Sequence, residues 1–270
     1  MDLEPAPMGT LFEDFPERKL SYKGLDFFLR EMGKGTPIVF IPGTGGDEKI
    51  FTRIQIPLSK SFRTMAFSHI HLPKFQSVID AWHEILTETV GEPFHLLGTS
   101  VGGRIVQYYA EKYPEDVLTL TIGNSYVDNS KIRKKHGLTT TIARFLPWGM
   151  ITKITQKSML QGFQNYPEGE KAMEFFQTKV RKSTKKEFLI RARWNLELVP
   201  PPKIKEDIPI QVVCSNDDPV IDQETRNHIK EYYINSKKTN ISWGGHFPYI
   251  INPVPYLEAV QGFIESSKND

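Results

Sequence analysis

The chain has 270 residues, 39% of them hydrophobic and 11% aromatic, which is enough apolar side chain for one sizeable core and rules out a disordered or disulfide-stapled miniature. A net charge of only +2 argues against a nucleic-acid binder, and the single cysteine, Cys214, excludes an internal disulfide and suits a reducing compartment. No apolar run approaches the roughly 18 residues needed to span a bilayer.

In chain order, Met1 to Glu13 carries neither a basic n-region nor an apolar h-region, so no signal peptide is expected. Asp2 in place of glycine and the C-terminal Ser-Ser-Lys-Asn-Asp offer no lipidation motif, and the expected location is the cytoplasm. Leu20 to Glu31 alternates around Lys23-Gly24 as a small hairpin, and Gly33 to Thr36 is a turn. Pro37 to Ile41 is a continuous apolar strand that runs into Pro42-Gly43-Thr44-Gly45-Gly46. A short helix over Phe51 to Leu58 and a strand over Arg63 to Ile70 follow. Phe75 to Val90 places Val78, Ile79, Trp82, Ile85, Leu86 and Val90 on one helical face. Glu92 to Leu97 reads as a strand, Val101 to Tyr113 as a helix stopped by Pro114, and Asp116 to Gly123 as another strand. The last third repeats the alternation, with strands over Ile208 to Cys214 and Lys238 to Trp243 and helices over Glu224 to Tyr233 and Pro255 to Glu265.

Strands alternating with helices predict an α/β fold with a mostly parallel, doubly wound sheet, whose functional groups gather at the carboxyl ends of the strands. The chain is read as one domain, 1–270, interrupted over 129–202 by a helical lid. Between Lys131 and Pro200 there are 15 Lys and Arg against 5 Asp and Glu, a net charge of about +10. Charge is therefore segregated within the molecule. Solvated helix faces account for it, as does an electrostatic contact with an acidic peptide or an anionic membrane. Phe145-Leu146-Pro147-Trp148-Gly149-Met150 is read as lid core, with a wall above a pocket as the alternative.

The chemistry is concentrated in Gly98-Thr99-Ser100-Val101-Gly102. A bare Gly-x-Ser-x-Gly arises by chance in roughly one chain of this length in ten, so the flanks decide. Here a strand precedes it and a helix follows at once, the setting of a nucleophile elbow in which Gly98 and Gly102 permit close backbone approach. Ser100 is the candidate nucleophile. A serine hydroxyl needs an adjacent base, and in this architecture the acid and then the histidine follow in the chain. Asp218, in Ser215-Asn216-Asp217-Asp218-Pro219, is the candidate acid, with Asp217 the runner-up. His246, in Trp243-Gly244-Gly245-His246-Phe247-Pro248, follows the last strand and is the candidate base. The amide of Val101 at a helix N-terminus and that of Thr44, or of its neighbour in the same loop, are the candidate oxyanion donors. The Gly43 to Ile50 run lacks phosphate-loop spacing, no His-Glu-x-x-His or paired cysteines occur, and no dinucleotide fingerprint is present, so no metal and no cofactor are expected.

These residues resemble the α/β-hydrolase superfamily across nearly the whole chain. Within it Gly98-Thr99-Ser100-Val101-Gly102-Gly103, Gly123-Asn124-Ser125-Tyr126-Val127-Asp128 and Gly244-Gly245-His246-Phe247-Pro248-Tyr249 look most like the maspardin family. The loop after Ile70 also lacks the Asp-x-x-Gly-x-Gly turn common in hydrolases of this fold. The resemblance implies a cytoplasmic protein that associates peripherally with endosomal or trans-Golgi membranes and acts in sorting and protein binding. It also implies Asn where this chain has His246, a departure that restores a base. Pro42-Gly43 stands where His-Gly is usual. Two functions are therefore expected in competition. One is a serine hydrolase acting on a small acyl or lipid ester or thioester. The other is a non-catalytic adaptor whose basic lid contacts acidic peptide tails or anionic membrane.

Overall fold

The computed structural model describes residues 4–267, with the backbone alone at 135, 136, 160 and 161, so the lipidation readings at Asp2 and at the C-terminal end lie outside the described residues. Its strands are β1 (Arg18–Tyr22), β2 (Leu25–Met32), β3 (Pro37–Ile41), β4 (Arg63–Phe67), β5 (Phe94–Thr99), β6 (Val117–Gly123), β7 (Ile210–Ser215) and β8 (Lys237–Ile241). They form one sheet in the order β1-β2-β4-β3-β5-β6-β7-β8. The β1–β2 and β2–β4 pairs are antiparallel and the rest are parallel. This is the mostly parallel sheet that the alternating pattern predicts.

The central strands are buried end to end because both faces are covered. Alternate side chains feed two cores. Val39, Ile41 and Leu96 join one face with Trp82, Ile105 and Ile229, while Ile38, Phe40 and Leu97 join the other with Ile54, Tyr249 and Leu257. The covering helices are α1 (Thr52–Leu58), α2 (Phe75–Thr89) and α3 (Val101–Lys112) in the first half. Between β6 and β7 come α4 (Ser130–Ala143), α5 (Trp148–Phe163), α6 (Gly169–Thr178) and α7 (Lys185–Trp194), and α8 (Gln223–Tyr232), α9 (Pro248–Ile251) and α10 (Pro253–Ser266) complete the chain. Helix α7 starts on a capping box in which Thr184 and Glu187 satisfy each other's backbone amides.

Two readings need correction. The strand expected over Arg63 to Ile70 ends at Phe67. The Ser68 amide still donates to the Phe28 carbonyl of β2 at 2.8 Å, but at His69 the backbone turns away and its amide donates to the Gly46 carbonyl at 3.2 Å. The apolar run at Phe145 to Met150 is not lid core throughout, since Phe145 is 79% exposed and Met150 48% exposed, while Leu146 faces a cavity.

Candidate active site

Between β5 and α3 the chain turns on Ser100, whose φ of 55° and ψ of −124° are strained for a side chain with a Cβ. The approach of neighbouring backbone explains the flanking glycines. A Cβ on Gly98 would lie 2.4 Å from the Gly102 carbonyl oxygen, and one on Gly102 would lie 2.3 Å from the oxygens of both Ile41 and Pro42. Gly103, to which sequence reasoning assigns no role, is equally constrained, with Ser125 Cβ 2.6 Å from where its own Cβ would be. The end of β6 fixes the turn from the other side. The Ser100 amide donates to the Gly123 carbonyl at 3.0 Å, and the Ser125 hydroxyl donates to the Ser100 carbonyl at 2.7 Å.

The candidate acid and base meet. His246 Nδ1 lies 2.8 Å from Asp218 Oδ2, and because a carboxylate only accepts, this bond places a proton on Nδ1. Asp218 Oδ1 accepts from the amides of Val220 at 2.8 Å and Ile221 at 3.0 Å. Burial by itself raises the Asp218 pKa, but the His246 ring, the Ile221 amide and Asn124 outweigh it and hold the carboxyl below its ordinary value. The runner-up, Asp217, does other work. Its Oδ1 accepts from the Gly245 amide at 3.0 Å, and its Oδ2 accepts from the Gly244 amide at 3.2 Å and the Tyr166 hydroxyl at 2.7 Å. It thus holds the loop on which His246 sits, where Gly244 and Gly245 take φ of +142° and +57°.

Sequence reasoning assigns no role at the site to two more residues around the acid, although Asn124 lies in one of the segments that carry the family resemblance. Asn124 Nδ2 donates to Asp218 Oδ2 at 2.7 Å and to the Gly245 carbonyl at 3.1 Å, tying acid to histidine loop. Arg226 donates from α8 to the carbonyls of Asn216 at 2.8 Å and Asp218 at 3.2 Å, fixing the acid turn. Polar side chains are common at strand ends and in helices, so only the assembled fold distinguishes these two.

Among the described residues no hydrogen bond joins the Ser100 hydroxyl to the His246 ring, whose Nδ1 is engaged with Asp218. Ser100 and Thr44 line a cavity of about 490 Å³, and His246 lines a second of about 500 Å³, with Val220 in the walls of both. Catalytic contacts are often open in unliganded sites and tighten on substrate. The amides of Val101 and Thr44 donate to no acceptor among the described residues, so both are available to an anion. Ile142, Leu146, Ile151, Ile154 and Phe188, from the helices between β6 and β7, line the first cavity, and among the described residues no charged side chain lines it. Its size and apolar lining suit a small organic ligand. No group of three or more His, Cys, Asp or Glu side chains among the described residues is placed to hold a metal ion. No helix there is long and apolar enough to cross a membrane.

Comparison with known proteins agrees with this architecture. Residues 36–253 match the family model described as alpha/beta hydrolase fold. Maspardin of Danio rerio is 27% identical over 223 residues, which cover 79% of this chain and 69% of the relative. Maspardin of Homo sapiens is 26% identical over 223 residues, covering 79% and 70%. Among solved structures, a hydrolase from Pseudomonas aeruginosa superposes with a TM-score of 0.77 at 14% identity, covering 92% of this chain and 98% of that one. A thermophilic esterase from Thermogutta terrifontis gives 0.75 at 16% identity, covering 93% and 99%. At such identities these structures speak for the fold alone.

Proposed function

This chain belongs to the alpha/beta hydrolase fold family and is similar to maspardins, and on that premise we propose that it is a serine hydrolase of carboxylic esters or thioesters with an apolar acyl group. The observation that carries the proposal is the 2.8 Å bond from His246 to a buried Asp218, in a chain whose elbow turn holds a strained serine. Ser100 attacks the acyl carbonyl while His246 Nε2 takes its proton. Asp218 holds the imidazole in the required tautomer and stabilises the imidazolium. The amides of Val101 and Thr44 receive the oxyanion, each worth about 3 kcal/mol in the transition state. His246 returns the proton to the leaving oxygen or sulfur, and water repeats the sequence to release the acid. The uncharged cavity takes the acyl chain. A fluorophosphonate probe tests the reading. Labelling is expected in the parent and absent in Ser100→Ala, and a folded parent that stays unlabelled would sink it.

A second reading rests on a separate observation. Between positions 129 and 167 there are seven Lys and Arg and no Asp or Glu, interspersed with Phe145, Leu138 and Ile154 at 79%, 72% and 58% exposure. Exposed apolar side chains among bases favour a docking surface for an acidic peptide tail or an anionic membrane, as on endosomes or the trans-Golgi network. On this reading the protein works as an adaptor with or without turnover. Binding to anionic vesicles or to a poly-glutamate peptide that survives Ser100→Ala, and is lost on reversing Lys153 and Lys157, supports it. Binding indifferent to those reversals contradicts it.

A further inference from the structure

The loop after β3 is gripped through two successive carbonyls, and neither grip is explained by packing. The Gly43 carbonyl accepts from His69 Nε2 at 3.1 Å and from the Gly46 amide at 2.9 Å. The Thr44 carbonyl accepts from Arg191 Nε at 2.7 Å. His69 comes from the segment after β4 and is 1% exposed; Arg191 comes from α7 and is 3% exposed. A carbonyl only accepts, so the His69 proton sits on Nε2, while Nδ1 is buried without a partner. Burial, reinforced by the nearby Arg191 and His71, holds the ring well below its ordinary pKa, so it stays neutral. Trp194 packs edge-on against it at 5.2 Å between ring centres and is itself tethered by its indole nitrogen to the Leu72 carbonyl. The remaining Arg191 nitrogens meet His71 and Ser183, and its guanidinium lies over Gly46, where an added Cβ would sit 3.1 Å from Cζ.

Peptide geometry gives these contacts a consequence. In a trans peptide the C=O and N–H point to opposite sides. The Gly43 carbonyl and the Thr44 amide belong to the same peptide, which His69 holds with its oxygen turned inward. The Thr44 amide must therefore face the other way. Ser100 lies on that loop, since a Cβ on Gly43 would be 3.0 Å from Ser100 Cβ and 3.6 Å from its hydroxyl oxygen. A free peptide in a Gly-Thr-Gly-Gly loop would rotate readily, because glycine imposes little on the backbone.

We propose that His69 and Arg191 are positioning residues for the oxyanion site: His69 turns the Thr44 amide toward the substrate carbonyl, and Arg191 lets the lid hold the next peptide in place. The inference rests on the serine-hydrolase reading and adds to it a dependence of the oxyanion geometry on a lid helix. Asn195, one turn along α7, reinforces the grip by donating to the Thr44 hydroxyl at 3.4 Å while accepting from Tyr126 at 2.6 Å.

The test is hydrolysis of p-nitrophenyl butyrate by the parent and by His69→Phe, His69→Gln, Arg191→Met and Arg191→Lys, each checked by circular dichroism. A displaced oxyanion donor costs turnover rather than binding, so His69→Phe is expected to lose about 10²-fold in kcat with KM within about threefold. His69→Gln retains a nitrogen donor and should recover most of that loss. A trifluoromethyl ketone, which adds to the serine as an oxyanion, should lose affinity in parallel with kcat/KM. Should His69→Phe fail to fold, Arg191→Met carries the same expectation and Arg191→Lys its partial rescue. Folded variants with unchanged kcat, or with losses confined to KM, overturn the proposal while leaving the hydrolase reading intact. A parent that hydrolyses no ester and takes no fluorophosphonate overturns both.

Discussion

Changing Asn124 to Asp alters one heavy atom and reverses the electrostatics beside the candidate acid. The side chain is 1% exposed and reaches Asp218 Oδ2 at 2.7 Å. Asn124→Asp keeps the shape and tolerates the local φ of 43°, but a donor becomes an acceptor and a second carboxyl faces the first. Two ionised carboxylates at about 4 Å repel by roughly 4 kcal/mol at an effective dielectric of 20, so the pair retains a proton instead. Holding that proton costs about 4 kcal/mol at pH 7 and about 1.5 kcal/mol at pH 5, relative to an unfolded chain in which both groups ionise normally. The sign is fixed by proton counting. Over this range the folded variant binds one proton more than the unfolded one, so its stability falls as pH rises, by about 1.4 kcal/mol per unit. In the parent, Asp218 is held below its ordinary value and adds no such slope above pH 5. Urea denaturation of both proteins at pH 5, 6 and 7 reads the difference, and titrations elsewhere in the molecule cancel. A gap under 1 kcal/mol at pH 7, or one that does not vary with pH, would refute the placement of the Asn124 amide nitrogen against the acid.

Three further outcomes are expected. Gly102→Ala drives a Cβ to 2.3 Å from two backbone carbonyl oxygens that cannot step aside, so a loss of about 3 kcal/mol or more is expected; a melting curve matching the parent contradicts the close approach. Ser100→Gly removes the strain at φ 55° and should raise stability by about 1 kcal/mol while abolishing fluorophosphonate labelling, whereas a lower melting temperature would mean that the serine is unstrained. Burial, with Asp47 beside it, pushes Glu48 up to about 7 despite the opposing Arg181. A raised carboxyl binds its proton more tightly when folded, so this group's stabilisation is present below its unfolded value and is lost as pH rises through about 7. The melting temperature should therefore decline from pH 5 to pH 8, and Glu48→Gln should flatten that decline; an identical slope in the variant removes Glu48 as its cause.

What the sequence discloses depends on how far a side chain acts from its own position. Ser100, with Gly98 and Gly102, is legible because strand, sharp turn and helix are consecutive and the backbone itself demands small neighbours. The strand ladder is legible for the same reason, since β3 and β5 are runs of apolar residues buried on both faces. Boundaries fail where a tertiary bond competes with the local pattern. Ser68 to Ile70 continue an apolar-compatible strand, yet at His69 the amide is drawn to the Gly46 carbonyl. Phe145 fails for the opposite reason, because an apolar side chain is read as core when nothing in the sequence says that no layer will cover it.

The residues that hold the loops in place belong to a third group. Arg191 meets Thr44 across 147 positions and Asn124 meets Asp218 across 94, and neither has a spacing rule to reveal it. In these two contacts the other end is a backbone carbonyl or a single carboxylate, so no complementary residue type marks it. A buried arginine in a basic, solvated-looking segment is the last place where composition points to the loop after β3. Burial provides the discriminating signal. Arg191 is 3% exposed and burial drags its pKa down to about 10 even with Glu187 and Asp47 opposing, a placement that a surface cation would not adopt. Desolvating a guanidinium is tolerable only where its hydrogen bonds are satisfied, and one of those bonds is spent on the Thr44 carbonyl. A cation kept there at that cost argues for a constraint on the loop itself, since an apolar side chain of similar volume would fill the space with less desolvation.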